Sequence, residues 1–423
     1  MRVLWVCNQC IPAIANNLNM NIGNKEGWLT GLSERLLLEK EKDFKLAVCF
    51  PVSEGLKDYR EEFEVTAYGY YEDRTNFEKY NPELEKRFEA IIKDFKPDVI
   101  HVFGTEYGHT LAVCRACRER TRLLIGIQGL CSVYAQHYLD GLPEKIVNKG
   151  TLRDKLKKDN IRAQQEKFVQ RGKNEIEALS LAGNITGRTD WDKFYTNKYA
   201  PMAEYYFMNE TLRSSFYEGC WSFDDCEKHS IFVSQGDYPI KGLHVLLEAM
   251  PGIIEKYPDT KVYVAGNKIT GEESFKKKLL IGSYGKYILE LIEKYNLSDR
   301  IEFLGSLDAQ AMKERYLKSN VFVSPSLMEN SPNSVGEAML LSVPVVSSDV
   351  GGVRNLMNED EGYVFTSLDI NGLTEAVCKV FEQNGSALQK EMCEKASAHA
   401  RKTHNADDNF RRLKEIYGEI AKQ

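Results

Sequence analysis

Two carboxylates eight positions apart, Glu329 and Glu337, stand in the string SPSLMENSPNSVGEAMLLSVPVVSSDVGG, which runs from Ser324 to Gly352. The string reads as a strand end, Glu329, a polar loop, a helix, a small-residue turn into a further strand, and Gly351-Gly352. Ser334-Val335-Gly336-Glu337 has the form of a capping box and predicts a helix that starts within the loop. The N-H groups of such a helix start, at the carboxyl ends of the strands, suit an anion, and a diphosphate fits there. Glu337 then has a purely structural role open to it, as the cap of its own helix. Glu329 has no such role, since it precedes the helix at a strand's carboxyl end.

These residues need a sheet to position them. Short apolar runs bounded by turn residues alternate with helical patterns, the sequence form of a parallel sheet with crossover helices. The pattern starts twice. A first series runs through residues 2–7, 45–50, 63–68, 98–103 and 122–127, then near 184 and 204; a second through 229–234, 261–266, 300–305, 320–325, 344–348 and 362–365. The fold class is therefore α/β, with two Rossmann-like domains expected to face each other across a cleft. Their expected spans are 1–213 and 214–405, followed by a C-terminal helix at 406–423 that could pack back on the first domain. For 423 residues two domains are also the natural division.

Within the first domain, Pro143 to Glu175 reads as an insertion with no strand pattern. Between Lys145 and Lys173 it holds ten Lys/Arg against three acids, on a chain whose net charge is -6. One reading is a solvated helical face; the sharper one is a peripheral contact with a membrane surface or a phosphorylated acceptor. The acidic balance argues against nucleic acid as a partner. No run approaches the roughly 18 apolar residues of a membrane span, so a cytoplasmic protein is expected, in peripheral contact with the inner face of the membrane on the sharper reading. Ten cysteines include the pairs Cys7/Cys10 and Cys114/Cys117, but neither has a partner pair at zinc-finger spacing, and reduced buried thiols are expected. His109, in FGTEYGHT with Glu106 beside it, is either a contact for a bound sugar or a buried histidine at a helix start. No G-x-G-x-x-G follows the first strand, which removes the dehydrogenase reading of two such domains.

Together the spacing of Glu329 and Glu337, Ser324-Pro325-Ser326 before them, Pro344-Val345-Val346 and Gly351-Gly352 after them, and the opening FVSQGDYPIKGLHVLLEAM resemble glycosyltransferase family 4. That family comprises retaining GT-B enzymes, and the nearest flavour is bacterial exopolysaccharide, capsule or lipopolysaccharide assembly. The resemblance covers the second domain well and the first more loosely. It implies transfer of a sugar from a nucleoside diphosphate sugar to a glycan or polyprenyl-diphosphate-linked acceptor, with no cofactor and no metal. Glu329 would contact the donor sugar and support charge at its anomeric carbon, and Glu337 would bind the nucleotide ribose. Ser331, Asn333 and Ser334 would hold sugar hydroxyls and phosphate, Lys241 would neutralise the leaving diphosphate, and backbone near Leu307 would read the base. Gly27, in the Asn24–Trp28 loop, would let the chain approach the donor phosphates closely.

Two positions depart from the family pattern. Gln235 stands where most members have an Arg, which makes Arg188 the candidate to supply the missing charge. Gln128 stands where many have a His near the transferred sugar, and a glutamine cannot act as a base near neutral pH. These departures keep one alternative open, a catalytically impaired nucleotide-sugar-binding subunit of an assembly complex; a GT-B-like nucleotide-sugar epimerase is a further alternative, disfavoured because the carboxylate pair and Lys241 are both present.

Overall fold

A computed structural model describes residues 1–18, 20, 27–38, 44–269 and 281–423. They form two compact units, one of Met1–Ala135, Lys167–Leu212 and His404–Gln423, the other of Gln136–Glu166 and Arg213–Thr403.

The first unit is built on eight strands: β1 (Arg2–Val6), β2 (Lys45–Pro51), β3 (Arg60–Glu62), β4 (Thr66–Tyr70), β5 (Val99–Phe103), β6 (Leu123–Gly126), β7 (Asn184–Gly187) and β8 (Glu204–Phe207). Their order is β3-β4-β2-β1-β5-β6-β7-β8, and all pair in parallel except the short β3, which runs antiparallel to β4 at the edge. The central strands are buried on both faces, as parallel sheets covered by helices must be. On β1, Trp5 sits opposite Val48 of β2 and His101 of β5.

The helix Ala406–Ile420 closes this core. Phe410, Leu413, Ile416, Tyr417 and Ile420 enter the cluster that holds Trp5, Val48 and Phe103. Trp5 Nε1 donates to the Tyr417 hydroxyl at 2.8 Å, and that hydroxyl lies 2.7 Å from His101 Nδ1. Burial pushes the His101 pKa down to about 3, so the ring is neutral and Nδ1 can accept the tyrosine proton.

The second unit carries β9 (Glu227–Val233), β10 (Lys261–Ala265), β11 (Ile301–Gly305), β12 (Ser319–Ser324), β13 (Val345–Ser348) and β14 (Tyr363–Phe365). Their order is β11-β10-β9-β12-β13-β14, all parallel. This is the doubly wound order in which the connections change direction between the two central strands, here β9 and β12, and ligands bind beyond the carboxyl ends of such a pair.

The expected insertion at 143–175 does not belong wholly to the first domain, because two buried carboxylates anchor its halves differently. Asp154, 2% exposed, caps the helix Leu152–Lys157 and accepts from the Ser283 N-H at 2.9 Å, within the second unit. Glu175, completely buried, accepts from Thr105 Oγ1 at 2.7 Å and from the N-H groups of Cys131 and Ser132, within the first. Residues 136–166 accordingly belong to the second unit. Eight of the ten cysteines are buried, Cys226 is half-buried and Cys220 is exposed. No helix among the described residues is long and apolar enough to cross a membrane.

Candidate functional site

In the second unit the switch between β9 and β12 brings Lys241 and Glu329 together. The chain leaves β9 through Gln235 and turns at Pro239–Lys241 into the helix Leu243–Lys256. Gly242 makes that turn possible: its φ is +68°, and a Cβ there would overlap the carbonyl oxygen of Pro325 just beyond β12. Leu327 N-H donates to Ile240 O at 2.8 Å across the same join. The two loops therefore lie backbone against backbone, and Lys241 Nζ reaches Glu329 Oε1 at 2.5 Å.

Glu329 is fixed from three directions. Ser326 Oγ donates to its Oε1 at 2.7 Å. Its carbonyl accepts from Gly352 N-H at 3.2 Å. Gly351, at φ +54°, packs so closely on that carbonyl that no Cβ would fit, so the Gly-Gly of the motif serves to seat Glu329. Burial acts to lower the Lys241 pKa, but the Glu329 carboxylate, with Tyr238 and Asp237, raises it above the ordinary lysine value. The ammonium is therefore charged at any physiological pH.

The helix that follows spans Asn333–Leu340, and here the expectation of a capping box fails. Its N-cap is Pro332, no side chain caps it, and Ser334 and Glu337 both lie inside the helix. Proline has no N-H to satisfy, so the chain can enter the helix without the box. Glu337 instead bonds Arg213 Nη2 at 2.8 Å and faces Tyr316, whose hydroxyl donates to Ser334 O at 3.0 Å. Burial pushes the Glu337 carboxyl up, and Arg213 opposes that shift. Asn333 and Ser334 occupy the first positions of the helix, where N-H groups have no partner within it. Ser331 precedes the helix, and Leu307 is half-buried just past the end of β11, the edge strand, with Gln235 half-buried past β9.

The first unit brings a different pair together. Gln128 Nε2 donates to Glu210 Oε1 at 2.5 Å, and Arg188 forms an ion pair with the same carboxylate. With His101, Phe103 and Thr186 they line a cavity of about 30 Å³ at the carboxyl ends of β5 to β8, room for about one water molecule. Among the described residues Glu210 Oε2 is buried without a partner, so it can accept one more hydroxyl. The charge of Arg188 is thus already matched by Glu210. In the second unit Glu337 is met by Arg213, as Glu329 is by Lys241.

His109 stands apart from this group. It is 1% exposed on the helix Gly108–Ala116, with Nδ1 2.9 Å from Glu72 Oε2 and its N-H donating to Glu72 Oε1. Its carboxylate partner is Glu72 rather than the neighbouring Glu106, which is the arrangement of a buried histidine at a helix start. Gly27 begins the helix Gly27–Leu37, while Asn24, Lys25 and Glu26 lie outside the described residues. Glu210 and Arg213 escaped the sequence reading, although both follow β8 in MNETLR and the strand-end rule that singled out Glu329 applies equally to them.

Parts of the chain are similar to known proteins. Residues 221–403 match the family described as Glycosyl transferases group 1. A phosphatidyl-myo-inositol mannosyltransferase of Mycobacterium leprae is 28% identical over 152 residues, 36% of this chain and 36% of that protein. The gpi3 component of the phosphatidylinositol N-acetylglucosaminyltransferase of Schizosaccharomyces pombe is 28% identical over 120 residues, 28% of this chain and 23% of that protein. The chain thus spans about a third or less of the length of these curated relatives. Among solved structures, a sucrose-phosphate synthase from Thermosynechococcus elongatus superposes with a TM-score of 0.72 over 99% of each chain at 15% identity. Anabaena HepE in complex with UDP-glucose gives 0.67 over 99% of this chain and 100% of that one, at 14% identity. The fold is that of the GT-B glycosyltransferases, with two parallel-sheet α/β domains. Lys241, Glu329 and Glu337 all lie within the segment, Trp221 to Thr403, that matches the glycosyl transferases group 1 family.

Proposed function

We propose that this chain transfers a sugar, with retention and without a metal, from a nucleoside diphosphate sugar to a glycan or lipid-linked acceptor in cell-surface polysaccharide synthesis. The observation that carries the reading is the meeting of Lys241 and Glu329 at the β9/β12 switch, beside the start of the helix Asn333–Leu340. Departure of a nucleoside diphosphate develops negative charge on the leaving oxygen and positive charge on the sugar. An ammonium with the first amides of a helix suits the former, and a carboxylate suits the latter. Donor binding would separate the Lys241–Glu329 pair, giving each its own partner. The UDP-glucose held by Anabaena HepE supports a nucleotide-sugar donor.

The two phosphatidylinositol-modifying relatives support a lipid-linked acceptor reached at a membrane surface. The helix Leu152–Lys157 supports it further: Leu152 is 59% and Leu156 74% exposed, beside exposed Lys155, Lys157 and Lys158. Neutralising those three lysines should abolish binding to anionic liposomes, and unchanged binding would remove the membrane contact from the proposal.

The activity itself is tested by incubating the protein with a panel of nucleotide sugars and cell-derived lipid acceptors and measuring nucleoside diphosphate release. Release with an acceptor supports transfer. Binding without turnover favours a donor-binding role with no catalysis, which Gln128 motivates because its amide is already committed to Glu210.

A further inference from the structure

Glu337 is a buried carboxylate, 7% exposed, and the cation that meets it comes from outside the matched family segment. Arg213 Nη2 donates to Glu337 Oε1 at 2.8 Å. The guanidinium carbon lies 4.9 Å from the ring centroid of Phe216, itself fully buried. A ring on one side and a carboxylate on the other hold the guanidinium in one place. Among the described residues, the other titratable group that acts on Glu337 is Tyr316 on the helix Ala309–Lys318. Tyr316 is completely buried and its pKa lies well above the ordinary tyrosine value, chiefly from burial, so it stays neutral. Arg213 is therefore the charge that offsets the cost of keeping Glu337 ionised in an apolar setting.

We propose that Arg213 is a positioning residue for the nucleotide, holding Glu337 as an aimed, ionised carboxylate that can accept both ribose hydroxyls. This rests on the reading of Glu337 as the ribose-binding group. A carboxylate accepts from a vicinal diol through both oxygens, whereas the protonated acid has one oxygen carrying its own proton. Without the guanidinium only Tyr316 opposes burial at Glu337, so its carboxyl moves further up and holds its proton to higher pH. Its charge returns only as the pH rises.

The test is calorimetric binding of UDP to the full chain from about pH 7 to about pH 9, a window above the ordinary carboxylate range. Wild type, measured alongside, carries whatever the ionisation of UDP itself contributes. Arg213→Met should bind about tenfold more weakly at the low end, the scale of one charge-assisted hydrogen bond, and recover as the pH rises. Arg213→Gln, which keeps donors but no charge, should do the same and serves if the methionine variant does not fold. Arg213→Lys should stay close to wild type throughout. Weakening that is equal at every pH, or no weakening, would overturn the role of Arg213, because a merely structural arginine predicts one or the other. Glu337→Gln separates the two levels of the argument. If it leaves UDP binding unchanged, the ribose reading falls and this inference with it; if it weakens binding while Arg213→Met shows no pH dependence, only the inference falls.

Discussion

Gly242→Ala is the sharpest test of how the fold places Lys241. The glycine sits at φ +68°, where an L side chain costs about 1–2 kcal/mol. The new methyl would overlap the Pro325 carbonyl, so the loops after β9 and β12 must part by about an ångström to restore ordinary contact. That movement breaks the Leu327 N-H to Ile240 O bond, 2.8 Å long and worth about 1 kcal/mol. The sum is about 2–3 kcal/mol, or a melting transition about 4–12 °C lower for a unit of this size. Scanning calorimetry of the full chain reads this shift, with Gly55→Ala as control, since no heavy atom lies within 4 Å of a Cβ there. Turnover should fall by about a hundredfold or more, because Lys241 is the adjacent residue and a displacement of this size carries its ammonium off the reacting geometry. A Gly242→Ala protein that melts within about a degree of wild type and keeps kcat/KM within about twofold would refute the argument that this contact positions the site.

Glu329→Ala and Lys241→Ala should each remove most turnover, by about a hundredfold or more, while circular dichroism stays native; full activity in Glu329→Ala would end its catalytic assignment. Tyr417→Phe should destabilise the first unit by about 2 kcal/mol in urea unfolding, since Trp5 Nε1 loses its acceptor inside the core. Asp154→Asn should loosen the segment 136–166, with a pH signature. Burial acts to raise the Asp154 pKa, but bonds from Ser283, Thr151 and Arg153 hold it below the ordinary value. Its contribution is therefore full above the unfolded carboxyl pKa of about 3.9 and lost as the pH falls through the lower folded value. Hydrogen exchange of this segment should differ between wild type and Asp154→Asn near neutral pH and converge in acid.

Strand placement was legible because parallel strands are continuous apolar runs, and β9, β10, β12 and β13 fall within a residue or two of their predicted spans. The antiparallel β3, with sequence Arg-Glu-Glu, was not, since an exposed edge strand has no apolar pattern to betray it. Glu329 and Lys241 could be read because each follows a strand in a string of distinctive spacing. The capping box was misread because Ser-x-x-Glu fits two registers, and Pro332 decided which. Glu210 and Arg213 stand at the end of the first expected domain, where no string of distinctive spacing points to them. Nor could composition divide the basic segment, since the two carboxylates that anchor its halves, Asp154 and Glu175, look alike in sequence and differ only in what they meet.

The helix Ala406–Ile420 belongs to the unit that begins with the first strand. During synthesis β1 leaves the ribosome long before the Tyr417 hydroxyl that Trp5 requires. Domains often fold in order of emergence. Here we expect the order to invert, the second-made unit reaching its native state while the first waits with an open hydrophobic face. Nascent chains stalled before and after Asp407 should show it: protease resistance of the second unit should come first, and that of the first only once the final helix is free. The reverse order would count against this inversion.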